Sequence, residues 1–221
     1  MKALFVNGSP RKNWNTHKML ESAMKGASDA GAECELVHLY DLSFKGCMSC
    51  FACKLKNAKT HGLCAIHDEL RPVLEKALAS YVIVAGSPVY FSNPTGMFRL
   101  FIERLLFPIM SYNVNPDGTR PRAIDRVIQS AVIYTMNCPE DFAPKVNYPE
   151  LLAPNAQAMK IVLGDCETLC AYNTYQFKDY SRYDCSMFNE TDKAKYRDEH
   201  FPEDLKNAYE LGKRLVMKAK S

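Results

Sequence analysis

Apolar residues along the chain fall into short runs separated by longer amphipathic stretches, the alternation expected when parallel strands are joined by crossover helices. Lys2 to Asn7 reads as a first strand, and Met19, Leu20, Ala23, Met24 and Ala27 form one apolar stripe on the helix after it, which Gly31 ends. A second strand covers Cys34 to Leu39. A cysteine-rich loop from about Asp41 to Cys64 follows, then a helix that Asp68 can cap and that holds Pro72 in its first turn. Tyr81 to Gly86 is nearly continuous in apolar residues, as a central strand covered on both faces should be. The next helix, Met97 to Phe107, turns Met97, Leu100, Phe101 and Leu105 inward and Arg99, Glu103 and Arg104 to solvent, with Pro108 as its stop. A fourth strand at Arg126 to Thr135, a helix near Glu150 to Leu163, a fifth strand near Glu167 to Tyr175 and a last helix at Asp204 to Lys218 complete the pattern.

Five strands with crossover helices predict an α/β, doubly wound five-stranded parallel sheet in the order 2-1-3-4-5, since right-handed connections then cover both faces. Ligands of such sheets bind beyond the carboxyl ends of the strands, here the loops after strands one, three and four. The segments Asn113 to Arg122 and Lys178 to Pro202 read as polar connections that do not divide the chain, so residues 1–221 are expected to form one domain.

The remaining sequence features narrow the function classes. The 28 basic residues are interspersed among 25 acidic ones, giving +3 overall, so no broad field attracts nucleic acid. Ala3 to Val6 is too short for a signal-peptide core, and even Leu100 to Met110 is broken by Glu103 and Arg104, so a cytoplasmic protein without a membrane partner is expected. Nine cysteines in such a protein read as thiols, metal ligands or redox groups rather than a disulfide framework.

After the first strand comes Asn7-Gly8-Ser9-Pro10-Arg11-Lys12-Asn13-Trp14-Asn15-Thr16. Open amides at a helix start, with donors from Ser9, Asn15 and Thr16 and charge from Arg11 or Lys12, suit a phosphate. The segment is neither GxxxxGK[ST] nor GxGxxG, so a monophosphate fits it better than the common nucleotide loops do. Read by itself, it is equally an ordinary turn in which Asn15 or Thr16 is the N-cap. Trp14 can cover a ligand or pack on a neighbour.

The third strand leads into Gly86-Ser87-Pro88-Val89-Tyr90-Phe91-Ser92-Asn93-Pro94-Thr95-Gly96. Together with Gly8-Ser9-Pro10-Arg11 and Asn15-Thr16, this loop resembles that of the NAD(P)H-dependent FMN reductases and iron-sulfur flavoproteins of the flavodoxin-like superfamily. The resemblance implies that the first loop holds the FMN phosphate and that Pro88, Val89, Tyr90 and Phe91 lie along the isoalloxazine. It places Thr135, in Thr135-Met136-Asn137-Cys138-Pro139, against the flavin or its ribityl chain. It implies a homodimer or homotetramer in which a neighbouring chain helps close the pocket, with the Ile109 to Asp125 connection as a candidate contact. Aromatic and apolar faces plus backbone donors do suit a flat amphipathic ring. For Tyr90 and Phe91, packing at the sheet edge is the alternative.

Cys47, Cys50 and Cys53 stand at three-residue intervals, and Cys64 follows after ten intervening residues. Iron-sulfur flavoproteins carry a compact four-cysteine motif in this loop, so the resemblance extends to a 4Fe-4S cluster on these residues. The sequence departs from that motif in the long gap before Cys64, which holds Lys54, Lys56, Lys59, Thr60 and His61. A packed thiol loop, a reversible disulfide and zinc are the alternatives, zinc the least favoured because its thiolates more often come as two separated pairs. His61 and His67 are assigned no role. Cys138, Cys166, Cys170 and Cys185 lack ligand spacing and read as small buried hydrophobes.

These readings converge on an FMN-dependent oxidoreductase that takes electrons from an NAD(P)H donor and passes them to a small or protein acceptor. The acceptor is not written in the residues, and no catalytic side chain is singled out because the flavin carries the chemistry. The alternatives are an iron-sulfur flavoprotein or flavodoxin-like electron-transfer protein without its own nicotinamide reaction, and a flavin-free binding module.

Overall fold

The computed structural model describes residues 1–58, 60 and 62–221; Lys59 and His61 lie outside the described residues. Its sheet runs in the order β2-β1-β3-β5-β6, built from β1 (Lys2–Asn7), β2 (Glu33–His38), β3 (Val82–Tyr90), β5 (Gln129–Thr135) and β6 (Glu167–Ala171), all parallel. A two-residue strand, β4 (Asn93–Pro94), folds back antiparallel on the end of β3. Apart from β4, this is the expected 2-1-3-4-5 order, the fourth and fifth expected strands being β5 and β6.

The near-continuous apolar runs of the central strands divide by alternation. Leu4, Val6, Ile83, Ala85, Val132 and Tyr134 face a layer containing α2 (Arg71–Ala79), α3 (Gly96–Ile109) and α4 (Tyr148–Leu163). Ala3, Phe5, Val82, Val84, Ala131 and Ile133 face α1 (Asn15–Asp29) and α5 (Glu190–Lys220). Fully burying a side chain such as Phe5 or Ile83 is worth about 1.5–3 kcal/mol, so these two faces dominate the favourable side of folding. Helices α1 and α5 approach so closely that a Cβ on Gly212 would lie 1.8 Å from the Ala23 carbonyl oxygen.

Several boundaries differ from expectation. Strand β3 continues past Gly86 to Tyr90, because Ser87 and Pro88 still pair with Tyr134 and Thr135. The fifth strand stops at Ala171, and the last helix begins at Glu190, so part of the Lys178 to Pro202 segment is helical. Asn189 caps that helix by accepting from the Asp192 amide, Glu190 and Asp192 complement its dipole, and Pro202 is accommodated inside it. Pro108 likewise sits in the last turn of α3 rather than stopping it. Asp68 is not the cap of α2: Leu70 holds that position without a side-chain bond, and Asp68 accepts from the Leu70 amide in the turn before the helix.

The largest correction concerns Arg104. It is 1% exposed rather than turned to solvent, because four residues from two chain segments supply acceptors around its guanidinium. Its groups meet both Asp68 carboxylate oxygens (2.5 and 3.0 Å), the Lys45 and Ile66 carbonyls and the Cys64 sulfur (3.3 Å). No helix among the described residues is long and apolar enough to cross a membrane.

Candidate functional site

The sheet register brings the strand ends level. Asn7 pairs with His38 and Gly86, Pro88 with Thr135, and Thr135 with Ala171, so the loops after β1, β3, β5 and β6 meet along one edge. The first loop is pinned from below: Asn7 Oδ1 accepts from the Ser9 amide (2.8 Å), Ser9 Oγ accepts from the Arg11 amide (3.1 Å), and the Gly8 amide donates to the Gly86 carbonyl (2.8 Å). Thr95 ties the loop to α3, donating to the Gly8 carbonyl (2.6 Å) and accepting from the Phe98 amide as N-cap. Helix α1 packs hard against β3 here, since a Cβ on Gly86 would lie 2.8 Å from Leu20 and 2.9 Å from Thr16.

Neither Asn15 nor Thr16 is the N-cap of α1. That position is Trp14, which makes no side-chain capping bond, and the first turn carries no acidic residue. The amides of this turn are left for an anion, with the helix dipole in its favour. Thr16 Oγ1 instead meets Thr135 Oγ1 at 2.8 Å, both hydroxyls buried, linking the first loop to the end of β5.

A half-open cleft of about 110 Å³ lies over these ends, lined by Ser9, Arg11, Asn15, Thr16, Pro88, Val89, Tyr90 and Thr135 among others. Eight of the nine expected cofactor residues therefore share one site. Phe91 is not among them. It is 99% exposed at the tip of the hairpin between β3 and β4, where it and Ser92 take φ of 48° and 64°, the left-handed pair of a two-residue turn. Burial pushes the Tyr90 hydroxyl pKa up, against the opposing charge of Arg11, so it remains a donor at neutral pH.

The remaining wall is Thr174-Tyr175-Gln176, which the sequence reading assigned in part to a strand. Asn15 Nδ2 and Trp14 Nε1 both donate to the Tyr175 carbonyl (2.8 and 3.2 Å), and Arg11 donates to the Gln176 carbonyl (2.5 Å). Asn173, a turn residue with φ of 48°, was the signal that the strand had already ended. Lys193 of α5 fastens this wall to the loop after β5 by donating to the Asn137 and Asn173 carbonyls and to Asn173 Oδ1 (2.5 Å). Burial without a carboxylate pushes its pKa down to about 8.

Two buried amide oxygens, Asn137 Oδ1 in the loop after β5 and Gln176 Oε1 in this wall, have no hydrogen-bond partner. Both residues line the cleft. Buried acceptors left open at a concave site are the complement of a ligand with N–H or O–H donors.

The four clustered cysteines come together as well. Cys47, Cys50, Cys53 and Cys64 line one small pocket with Ile66, Arg104 and Phe107. The ten-residue gap thus returns Cys64 to its three predecessors. Cys47 and Cys50 are exposed, Cys53 is half-buried and Cys64 is buried. Burial raises the Cys53 pKa, while the Arg104 charge, opposed by burial, is held by Asp68 and Cys64 so that its own pKa rises. Among the described residues no three His, Cys, Asp or Glu side chains converge to metal-ligand geometry. The four thiols around one pocket fit a thiolate-ligated cluster in kind and number. Cys166, pushed up to about 11 by burial, and Cys170, also raised, remain thiols at neutral pH.

Comparison with known proteins adds a family to this geometry. The chain is 32% identical over 148 residues to an iron-sulfur flavoprotein of Archaeoglobus fulgidus, a match covering 66% of this chain and 61% of that protein. The chain spans about half to three-fifths of the length of the curated relatives it matches. Its fold is that of an NAD(P)H:quinone oxidoreductase from Methanothermobacter marburgensis (TM-score 0.65, 15% identity, 97% of this chain and 98% of that one). It is also that of a flavodoxin from the domain Archaea (TM-score 0.52, 12% identity, all of both chains), so the sheet is flavodoxin-like. The model of the NADPH-dependent FMN reductase family matches residues 1–121, more than half of the chain and including the loops after β1 and β3, and the chain belongs to that family.

Proposed function

We propose that the chain is an FMN-dependent oxidoreductase that takes electrons from NAD(P)H and delivers them to a second acceptor. The observation that carries this reading is the pairing of an uncapped α1 turn with two unpartnered buried amide oxygens in one cleft at the strand ends. FMN, when bound, supplies hydride and electron transfer between donor and acceptor. The α1 amides and Ser9 would hold its phosphate, with Arg11 balancing the charge. Asn137 and Gln176 would accept from its hydroxyl or N–H donors, and Pro88, Val89 and Tyr90 would offer a face to the ring. The enclosed volume is below the roughly 300–1,000 Å³ of pockets that surround a drug-sized ligand, so these residues grip one side of a flat molecule. A second copy of the chain covering the open side is part of the proposal.

The test is an absorbance spectrum of anaerobically purified protein, with iron and acid-labile sulfide assayed on the same sample. Flavin bands are expected, together with bleaching by NADH or NADPH. A colourless protein that takes up no FMN would overturn the reading. A second reading rests on the cysteine pocket: four thiols around one space, in a chain similar to a protein named for an iron-sulfur centre. Stoichiometric iron and sulfide, with slow oxidation of both nicotinamides, would make electron transfer through a cluster on Cys47, Cys50, Cys53 and Cys64 the better account.

A further inference from the structure

A second cavity, of about 440 Å³, shares Arg11, Trp14 and Gln176 with the flavin cleft and extends away from it toward the loop after β6. Its charge is concentrated in a way that the chain as a whole is not. Arg11, Lys12, Lys178 and Arg182 line it against the single carboxylate of Asp179, whose Oδ1 already accepts from the Ser181 amide and hydroxyl. Lys12 is paired with Asp41 at 2.6 Å, but among the described residues Lys178 and Arg182 have no carboxylate partner. Uncompensated cations around a concavity raise the local concentration of anionic ligands.

The same cavity is aromatic. Tyr183 stacks on Phe177 with ring centroids 4.2 Å apart and planes 17° from parallel, yet stays 52% exposed, so it offers a flat surface already held at the back. Trp14 lies at the junction under Arg11, whose guanidinium is 5.7 Å from the ring centroid. A phosphate alone needs the cations but not the stacked rings; a planar base needs both a stacking surface and an acceptor for its amino group. Gln176 Oε1, buried and unpartnered, belongs to the wall between the two cavities.

We propose that this cavity binds the adenosine diphosphate moiety of a dinucleotide, with Lys178 and Arg182 on phosphate and Tyr183 against adenine. The moiety has two sources: the adenylate half of a flavin whose phosphate sits at the α1 turn, which would make the bound flavin FAD, or the adenylate half of the nicotinamide donor. The two sources rest on the flavin reading above, but the binding of ADP does not.

Calorimetric titration of the purified protein with ADP and, separately, with inorganic phosphate tests it. ADP is expected to bind at least about tenfold tighter than phosphate, the order of one stacked base. The Lys178→Ala/Arg182→Ala double variant should weaken ADP about tenfold or more, while Tyr183→Ala should weaken ADP and leave phosphate unchanged. Equal affinity for ADP and phosphate, or variants that bind ADP as the parent does, would overturn the proposal. Two further arms separate the sources. A preference of flavin-stripped protein for FAD over FMN, lost in the double variant, assigns the moiety to the flavin; competition between ADP and NADPH on FMN-loaded protein assigns it to the donor. ADP binding with neither effect would overturn the dinucleotide assignment. ADP binding by a protein that takes up no flavin would overturn the function proposed above and leave the ADP site standing.

Discussion

In the cleft at the strand ends the chain meets itself through the sheet: strand ends stand level by register, and Thr16 with Thr135, Thr95 with Gly8 and Asn15 with Tyr175 close the loops onto one another. In the cysteine pocket the loop's own backbone bonds are short-range, such as Lys54 to Phe51 and Leu63 to Thr60, and Ser49 and Phe51 take positive φ. Side chains gather that loop: Arg104 joins its two ends, at Lys45 and at Cys64 to Asp68, while Lys54 donates to the Phe107 and Met110 carbonyls and Glu103 accepts from the Cys47 amide. Each region also has a buried cation collecting carbonyls, and the two differ in one respect. Arg104 has a carboxylate beside it and Lys193 does not, so the charge of the first is reinforced and that of the second is disfavoured. A site built from strand ends exists before its ligand, whereas one built from a loop around a side chain depends on that side chain or on a ligand to converge its donors.

The sharpest break is Arg104→Met. It leaves Asp68 and two carbonyls without their donor and is expected to cost about 3 kcal/mol in urea denaturation. Alkylation of Cys64, now buried, should accelerate while FMN retention persists. Loss of FMN with unchanged Cys64 reactivity would reverse the comparison.

Thr16→Val is the complementary cut. Removing one of two buried, mutually bonded hydroxyls should cost about 1–2 kcal/mol and weaken FMN about tenfold, measured by flavin fluorescence, with cysteine reactivity unaltered. An unchanged FMN affinity would mean that this tie does not position the phosphate turn.

A smaller effect separates the two cations. The folded pKa of Lys193, about 8, lies below its ordinary 10.5, so between these values the folded chain holds fewer protons than the unfolded one and stability gains with pH. The stability advantage of the parent over Lys193→Met should therefore grow from about pH 7 to about pH 10. A flat difference across that range would show that the ammonium is not desolvated. Phe91→Ser should change stability least, by less than about 0.5 kcal/mol, since the ring touches little. A loss of FMN affinity in that variant at protein concentrations favouring self-association would bring Phe91 back to the site through a second copy.

The sequence by itself determined the sheet order and most of the cleft. Continuous apolar runs such as Val82 to Ala85 need cover on both faces, and that requirement, with right-handed crossovers, fixes which loops meet. The gathering of Ser9, Arg11, Asn15 and Thr16 at one cleft was legible for the same reason, because they span the junction of β1 and α1, whose first amides are open by construction. Only the tertiary structure decided the rest. Arg104 carries a surface residue's charge and periodicity, and its burial depends on Asp68, Cys64, Lys45 and Ile66 arriving from elsewhere. Thr174 to Gln176 lines the cleft because β6 ends early beside β5, and the stacked rings of Phe177 and Tyr183 meet four cations only because α1 and the β6 loop converge. Local pattern encodes what an element must hide, while the partners of a polar or aromatic side chain are set by contacts between residues far apart in the chain, which no window of sequence contains.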